Sequence, residues 1–193
     1  MRPVKRMFVS LGTDHHPFQR LVDWASRWAA DHPDWEVHMQ HGSSPAPAGC
    51  HAFAFCDHDQ LQELMRTSHV VVSHGGPATI TEARRRGHLP VVVPRDPRLG
   101  EHVDDHQLLF SRRLGGCGLV SLAETEEDFR TAVKTVARSQ EERERSAQEH
   151  AVPAGVFRVG EIVEQLVRSR AAGRGQRGRL DRFLGRLPGR RRG

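Results

Sequence analysis

The residues best placed to do chemistry form one short run, SHGGPATITE at 73–82, directly after the apolar stretch HVVV. A strand ending on His74, Gly75 and Gly76 and leading into a helix puts that turn where open α/β sheets hold ligands, beyond the carboxyl ends of the strands. Two glycines remove the side chains that would keep a phosphate from the backbone. Pro77 suits the first helical position, where its missing N–H costs nothing. The free N–H groups of Ala78 and Thr79, with the Thr79 hydroxyl, can then meet an anion at the positive end of the helix. Glu82 follows one turn on, about 6 Å along the axis from Ala78 and on the same face. A carboxylate there would repel a phosphate at contact but can accept hydrogen bonds from both hydroxyls of a ribose. The layout suits a nucleoside diphosphate; a plain tight turn is the competing reading. The sequence has no G-x-G-x-x-G after its first strand and no G-x-x-x-x-G-K-[ST], so the usual dinucleotide and P-loop fingerprints are missing.

Positioning such a turn requires a sheet, and the apolar pattern supplies one. KRMFVSL (5–11), WEVHMQ (35–40), HAFAF (51–55), HVVVS (69–73), PVVVP (90–94) and GLV (118–120) read as strands, the valine runs as strands covered on both faces. Between them, Phe18, Leu21, Val22, Ala25, Trp28 and Ala29 mark one helix face, and Leu61, Leu64 and Met65 a short helix capped by Asp57 or Asp59. TITEARRR forms a helix closed by Gly87, DDHQLLFSRRL another, and Phe129, Val133 and Val136 a further one whose charged end is solvated. A last amphipathic helix is expected through Val156, Val159, Ile162, Val163, Leu166 and Val167. Strands alternating with helices give a Rossmann-like, doubly wound parallel α/β sheet. Trp24, Trp28 and Trp35 read as core or rim packing, ARRRG (83–87) as a solvated face and Cys117 as a small filler.

The chain has 193 residues and a formal charge of +5, enough for one well-cored domain over 1–168 and an appendage over 169–193. Residues 168–193 hold ten arginines against Asp181 alone, leaving a mildly acidic body. The tail reads either as a disordered, solubilising segment or, through LDRFLGRL (180–187), as a short amphipathic helix on an anionic membrane. No window approaches the ~20 apolar residues of a spanning helix, and no secretory signal is evident at the start. Three cysteines outside any C-x-x-C spacing are expected to be reduced thiols in a cytoplasmic protein.

Taken together, SLGT followed by PFQRL, then SHGGPATITEA, then LPVVVPRDPRLGEHVDDHQ resemble the C-terminal, nucleotide-sugar-binding half of family-28 glycosyltransferases of GT-B architecture. Closest in look are the short bacterial exopolysaccharide and capsule glycosyltransferase subunits, and the catalytic subunit of the eukaryotic two-chain enzyme that adds the second GlcNAc to dolichol-linked chitobiose. The likeness runs from about Met7 to Phe129. It implies that Gly75, Gly76, Ala78 and Thr79 bind the diphosphate of a UDP-sugar, beside His74, and that Glu82 binds the ribose. The pair His106 and Gln107 falls where such enzymes hold the hydroxyls of the donor sugar, with Glu101 and Asp105 nearby. Gly12 and Thr13 would line the cleft close to the phosphates. The chain departs from many relatives in placing His15 where they carry an acidic residue.

Transfer needs a donor whose leaving UDP is stabilised, an acceptor hydroxyl and a general base for it. The resemblance implies inversion at the anomeric carbon. It also implies a membrane-associated partner subunit that binds a lipid-linked or polysaccharide acceptor, at the inner face of the plasma membrane. The base is expected from that partner, with His15 and His16 as local candidates. No cofactor beyond the donor substrate is implied, and no Asp-x-Asp motif for a metal is present. Other classes weighed are a nucleotide-binding regulator without catalysis, and a metal protein using His102 and His106, four residues apart with Asp105 between. Nucleic-acid binding rests on the arginines alone, since no aromatic-basic interleaving appears.

Overall fold

The computed structural model describes residues 4–149. The elements are β1 (Lys5–Ser10), α1 (Gln19–Asp31), β2 (Trp35–Gln40), β3 (His51–Phe53), α2 (His58–Thr67), β4 (Val70–Ser73), α3 (Pro77–Arg85), β5 (Val91–Val92), α4 (His106–Gly116), β6 (Ser121–Leu122) and α5 (Glu126–Glu149), with a 3-10 turn at Pro97–Leu99. Residues 1–145 form one compact unit and a second begins at Ser146; the first contains every feature discussed below. The helix expected over 156–167 and the basic segment 169–193 lie outside the described residues, as do the ends of both expected domains.

The six strands are parallel and ordered β3-β2-β1-β4-β5-β6. The chain builds outward from β1 in one direction, then returns to β4 and builds in the other, so the switch in direction falls between β1 and β4. Loops leaving the carboxyl ends of those two strands part there and open a crevice.

Side chains alternate across the sheet, so each strand feeds two layers. Met7, Val9, Val70, Val72 and Val91 point to one face, where Leu21, Ala25 and Trp28 of α1 and Phe129 and Val133 of α5 cover them. Phe8 and Val71 point to the other, against Met65 of α2 and Ala83 of α3, while Ile80 and Leu114 close over Val92 and Val120. This two-sided cover explains the unbroken valine runs of β4 and β5. Each large apolar side chain buried here contributes about 1.5–3 kcal/mol relative to exposure.

Local signals set most boundaries. Asp57 caps α2 by accepting from the Gln60 N–H at 2.8 Å. Pro77 is the first residue of α3 and Gly87, at φ 83°, follows its end. Two expectations shift. The last strand forms at 121–122 rather than 118–120, because Gly118 at φ 67° still belongs to the turn leaving α4. Cys117 is exposed at the end of α4 instead of filling a gap. Trp28 is fully buried and Trp24 nearly so, as packing residues. Among the described residues no helix is long and apolar enough to cross a membrane.

Candidate functional site

The β4–α3 turn sits at the switch point, opposite the turn that leaves β1. Its central feature is the His74 ring, buried between the two turns. A Cβ built on Gly12 would lie 2.5 Å from His74 Cε1, and one on Gly76 would lie 2.9 Å from the same atom. Gly75, at φ 95°, would place a Cβ 2.9 Å from Ser111 Oγ and 3.7 Å from Gln107 Cβ. The glycines are therefore required by the protein's own packing. His74 needs flat neighbours above and below, and α4 needs the turn to come close.

His74 Nδ1 lies 3.3 Å from the Ser10 carbonyl, which can only accept, so the bond places the proton on Nδ1. Burial, assisted by the positive charge of Arg95, depresses the imidazole to a pKa of about 4. The ring is neutral at ordinary pH.

Above this wedge, α3 begins without a side-chain cap, since Gly76 occupies the cap position. The first N–H satisfied within the helix is that of Ile80, bonded to the Gly76 carbonyl at 3.2 Å. Ala78 and Thr79 thus present their N–H groups at an exposed, positive helix end. One turn on, Glu82 accepts from Gln62 Nε2 of α2 at 2.9 Å and lies 3.5 Å from Arg85. The Gln62 bond and then the neighbouring arginines hold its carboxyl below the usual range, so it is ionised and oriented.

The loop after β1 is held from below. Gln40 grips Gly12 on both sides, Nε2 donating to its carbonyl at 2.7 Å and Oε1 accepting its N–H at 3.2 Å. Thr13 is exposed at the loop tip. Burial alone would raise the Asp14 pKa, but hydrogen bonds from the His16 backbone and ring, with the charge of Arg95, outweigh it and lower the value. His15 is exposed, whereas His16 Nδ1 bonds Asp14 at 2.6 Å.

The loop after β5 is organised by two arginines that the sequence did not single out. Arg95, 1% exposed, donates to the carbonyls of Leu11, His16 and Glu101 at 2.9, 2.7 and 2.9 Å. Arg20 from α1 takes both carboxylate oxygens of Glu101 at 2.9 and 2.8 Å, and the Asp96 N–H takes one of them again. Glu101 is buried, and its carboxylate is spent on this clamp.

At the start of α4 the expected residues separate. Gln107 packs against Gly75, half-buried, and its amide oxygen is buried without a partner. His106 is 86% exposed with Nδ1 3.0 Å from Asp104, and Asp105 is exposed at the cap position. His102 and His106 do not share a helix face, because α4 starts only at His106. His102 precedes the helix and turns inward, 3.5 Å from Asp14 and 3.3 Å from Asp104. The structure brings Gly12, His74, Gly75, Gly76 and Gln107 into one packed junction, with Ala78, Thr79 and Glu82 rising from it. Arg95, Arg20, Gln40 and Gln62 complete it.

Compared with known protein families, residues 8–165 match the model described as the glycosyltransferase family 28 C-terminal domain. Among solved structures the chain resembles the glycotransferase of kitacinnamycin, at 20% identity and TM-score 0.53, covering 84% of this chain and 43% of that one. It resembles CalG4, the calicheamicin glycosyltransferase, at 20% identity and TM-score 0.52, covering 87% and 45%. At that identity the likeness concerns the fold, and the chain spans less than half the length of either structure. No curated protein matches it.

Proposed function

The chain belongs to the glycosyltransferase family 28 C-terminal domain family, and from that premise we propose that its β1–β4 crevice binds the UDP part of a nucleotide-sugar donor. The observation that carries this reading is the uncapped, exposed start of α3 at the switch point, with the ionised Glu82 fixed one turn above it by Gln62. N–H groups at 78 and 79 meet the diphosphate, and Glu82 accepts from the ribose hydroxyls. As the glycosidic bond breaks, charge grows on the departing diphosphate, and fixed amide dipoles stabilise it without reorganising. Gln107 and His106 lie at the next helix start, where they can meet the sugar hydroxyls. Glu101, its oxygens engaged by Arg20, serves the same end indirectly by fixing the loop before α4.

On this reading the protein is a hexosyltransferase acting with inversion. Its acceptor, lipid-linked or polysaccharide, is bound by a membrane-associated partner subunit at the cytoplasmic face of the plasma membrane. Support for the partner is chemical: the residues gathered here are those of the donor side, and the His16 ring is spent on Asp14. Full activity of the purified chain on a lipid-linked acceptor, with no membrane fraction added, would refute the partner. The basic segment 169–193 would add attachment to anionic lipid, and unchanged membrane association after its deletion would remove that role.

The test of the donor site is a thermal-shift panel of UDP, UDP-sugars and other nucleotides on the intact chain. UDP ligands should raise Tm and Glu82→Ala should abolish the rise while leaving the unliganded Tm nearly unchanged. Stabilisation by adenine dinucleotides in place of UDP would overturn the assignment.

A further inference from the structure

Far from the crevice, at the sheet edge, three potential metal ligands converge. His38 of β2 stands directly across from His51 of the edge strand β3, and Glu36 is two residues before His38 on the same face. Glu36 Oε1 lies 2.9 Å from His38 Nε2 and 3.6 Å from His51 Nε2, and the three ligand atoms all fall within 4.8 Å of one another. Donors around a tetrahedral zinc at ordinary bond lengths are about 3.3 Å apart. The observed spacings straddle that value.

A bare ion pair explains this cluster poorly. Glu36 Oε1 is 2.9 Å from His38 Nε2, close enough to help hold the Glu36 carboxyl below the usual range after Arg6, yet the nitrogen makes no well-aligned hydrogen bond, so the oxygen lies off the axis along which the ring would donate. Two ligands of one tetrahedral ion have this relation, each sitting about 35° to the side of the other's bond to the metal. The second cluster, Asp14, His15 and His16, shows the contrast. There the His16 ring nitrogen and its backbone N–H are both spent in hydrogen bonds to one Asp14 oxygen, at 2.6 and 2.8 Å.

The surroundings also suit an ion. Arg6 places both of its donors, at 3.0 and 2.8 Å, on Glu36 Oε2, which orients the carboxylate and leaves Oε1 for the histidines. The His38 and His51 ring centroids lie 4.8 Å apart, and the Nε2 atoms of both rings come within 3.6 Å of the same Glu36 oxygen. His51 is 67% exposed, which gives an ion an entry path. Two imidazoles and one carboxylate select a borderline divalent cation over calcium or magnesium.

We propose that Glu36, His38 and His51 form a zinc site that ties the three-residue edge strand β3 to β2. A strand this short, paired on one side only, has few ladder bonds of its own. The ion would add a cross-link between neighbouring strands.

The test uses the full chain, stripped of metal and titrated with zinc against a chromophoric chelator. One equivalent should bind, Tm should rise, and exchange of the His41 and Gly42 amides, which bond Phe53 and Ala54 beside β3, should slow. His51→Ala removes one of three ligands and should weaken binding by more than the ~100-fold upper range of outer-shell changes. His51→Gln serves if the alanine variant is unstable, and circular dichroism checks both. Failure to take up one equivalent at micromolar zinc overturns the proposal. So does uptake that survives His51→Ala or His51→Gln, whether or not it is lost in His15→Ala/His16→Ala.

Discussion

The floor of the crevice and its rim are built from similar residue types used in opposite ways. In the floor, Arg95, Glu101, Gln40 and His74 are buried, and most of their polar atoms bond main-chain groups or the side chains of Arg20 and Ser10, Arg95 Nε being a buried exception. On the rim, Ala78, Asp105 and His106 are exposed and Thr79 half-exposed; the α3 start has no side-chain cap, while at the α4 start Asp104 accepts from the His106 N–H at 3.1 Å. Buried polar groups must be satisfied internally because leaving one unpaired costs about 1–3 kcal/mol. Rim groups carry no such obligation, since water fills in until a ligand arrives. The contrast separates residues that make the site possible from residues that touch what it binds, and it predicts different consequences for mutating each.

The floor should break hardest at Arg95. Arg95→Met keeps much of the volume but strands the carbonyls of Leu11, His16 and Glu101 and removes the cation facing Asp14. A loss of about 3–5 kcal/mol is expected in chemical denaturation. Arg112→Met, which deletes an exposed ion pair with Glu124, is the control and should cost less than about 1 kcal/mol. Equal losses in the two variants would erase the distinction drawn here.

His74 gives the floor a pH signature. Its folded pKa of about 4 lies below the ordinary 6.5, so the unfolded chain takes up a proton first as pH falls. Its contribution is complete above about pH 6.5, declines as pH drops toward 4, and is exhausted below that. The decline should reach about 3 kcal/mol across the window. In His74→Asn the difference between stability at pH 6.5 and pH 4 should shrink by about that amount; an unchanged profile would show that the ring is not held neutral.

How much of this was written in the sequence differs between the two regions for a physical reason. The sheet was legible because valine runs and helical periodicity are local patterns. The rim was legible because a helix start is contiguous: Gly-Gly-Pro-Ala-Thr occupies neighbouring positions, and Glu82 is one turn away. The floor was not, because its bonds join distant segments. Nothing near Arg95 announces that it reaches Leu11, nor near Gln40 that it grips Gly12. Glu101 shows the same blindness. A carboxylate in EHVDDHQ reads alike whether it faces a ligand or turns inward to Arg20. The glycines were read as leaving space for phosphate, and the structure adds a second cause in the His74 ring that only the packed fold displays.

That second cause can be isolated by a double-mutant cycle. Gly76 sits at φ −70°, which alanine can adopt, so the steric part of the cost of Gly76→Ala is directed at His74, and the part owed to alanine at a helix cap is the same whatever stands at 74. Overpacking of this kind costs about 1–3 kcal/mol. In a His74→Ala background the same change should cost at least about 1 kcal/mol less. Additive costs would show that Gly76 is kept for another reason.

The rim should show the smallest effect on folding and a measurable one on binding. Thr79 is half-exposed in the first turn of α3, and no capping or core role engages its hydroxyl. Thr79→Ala should therefore change stability by less than about 0.5 kcal/mol, the usual range for surface sites away from special features. If the hydroxyl contacts the diphosphate, its loss removes a hydrogen bond to a charged group, worth about 1.5–3 kcal/mol, and UDP affinity falls by at least about 10-fold. Thr79→Ser, which keeps the hydroxyl, should bind like the parent. A Thr79→Ala chain that binds UDP undiminished would move the phosphate contact to the backbone alone, while one that unfolds would place Thr79 with the floor.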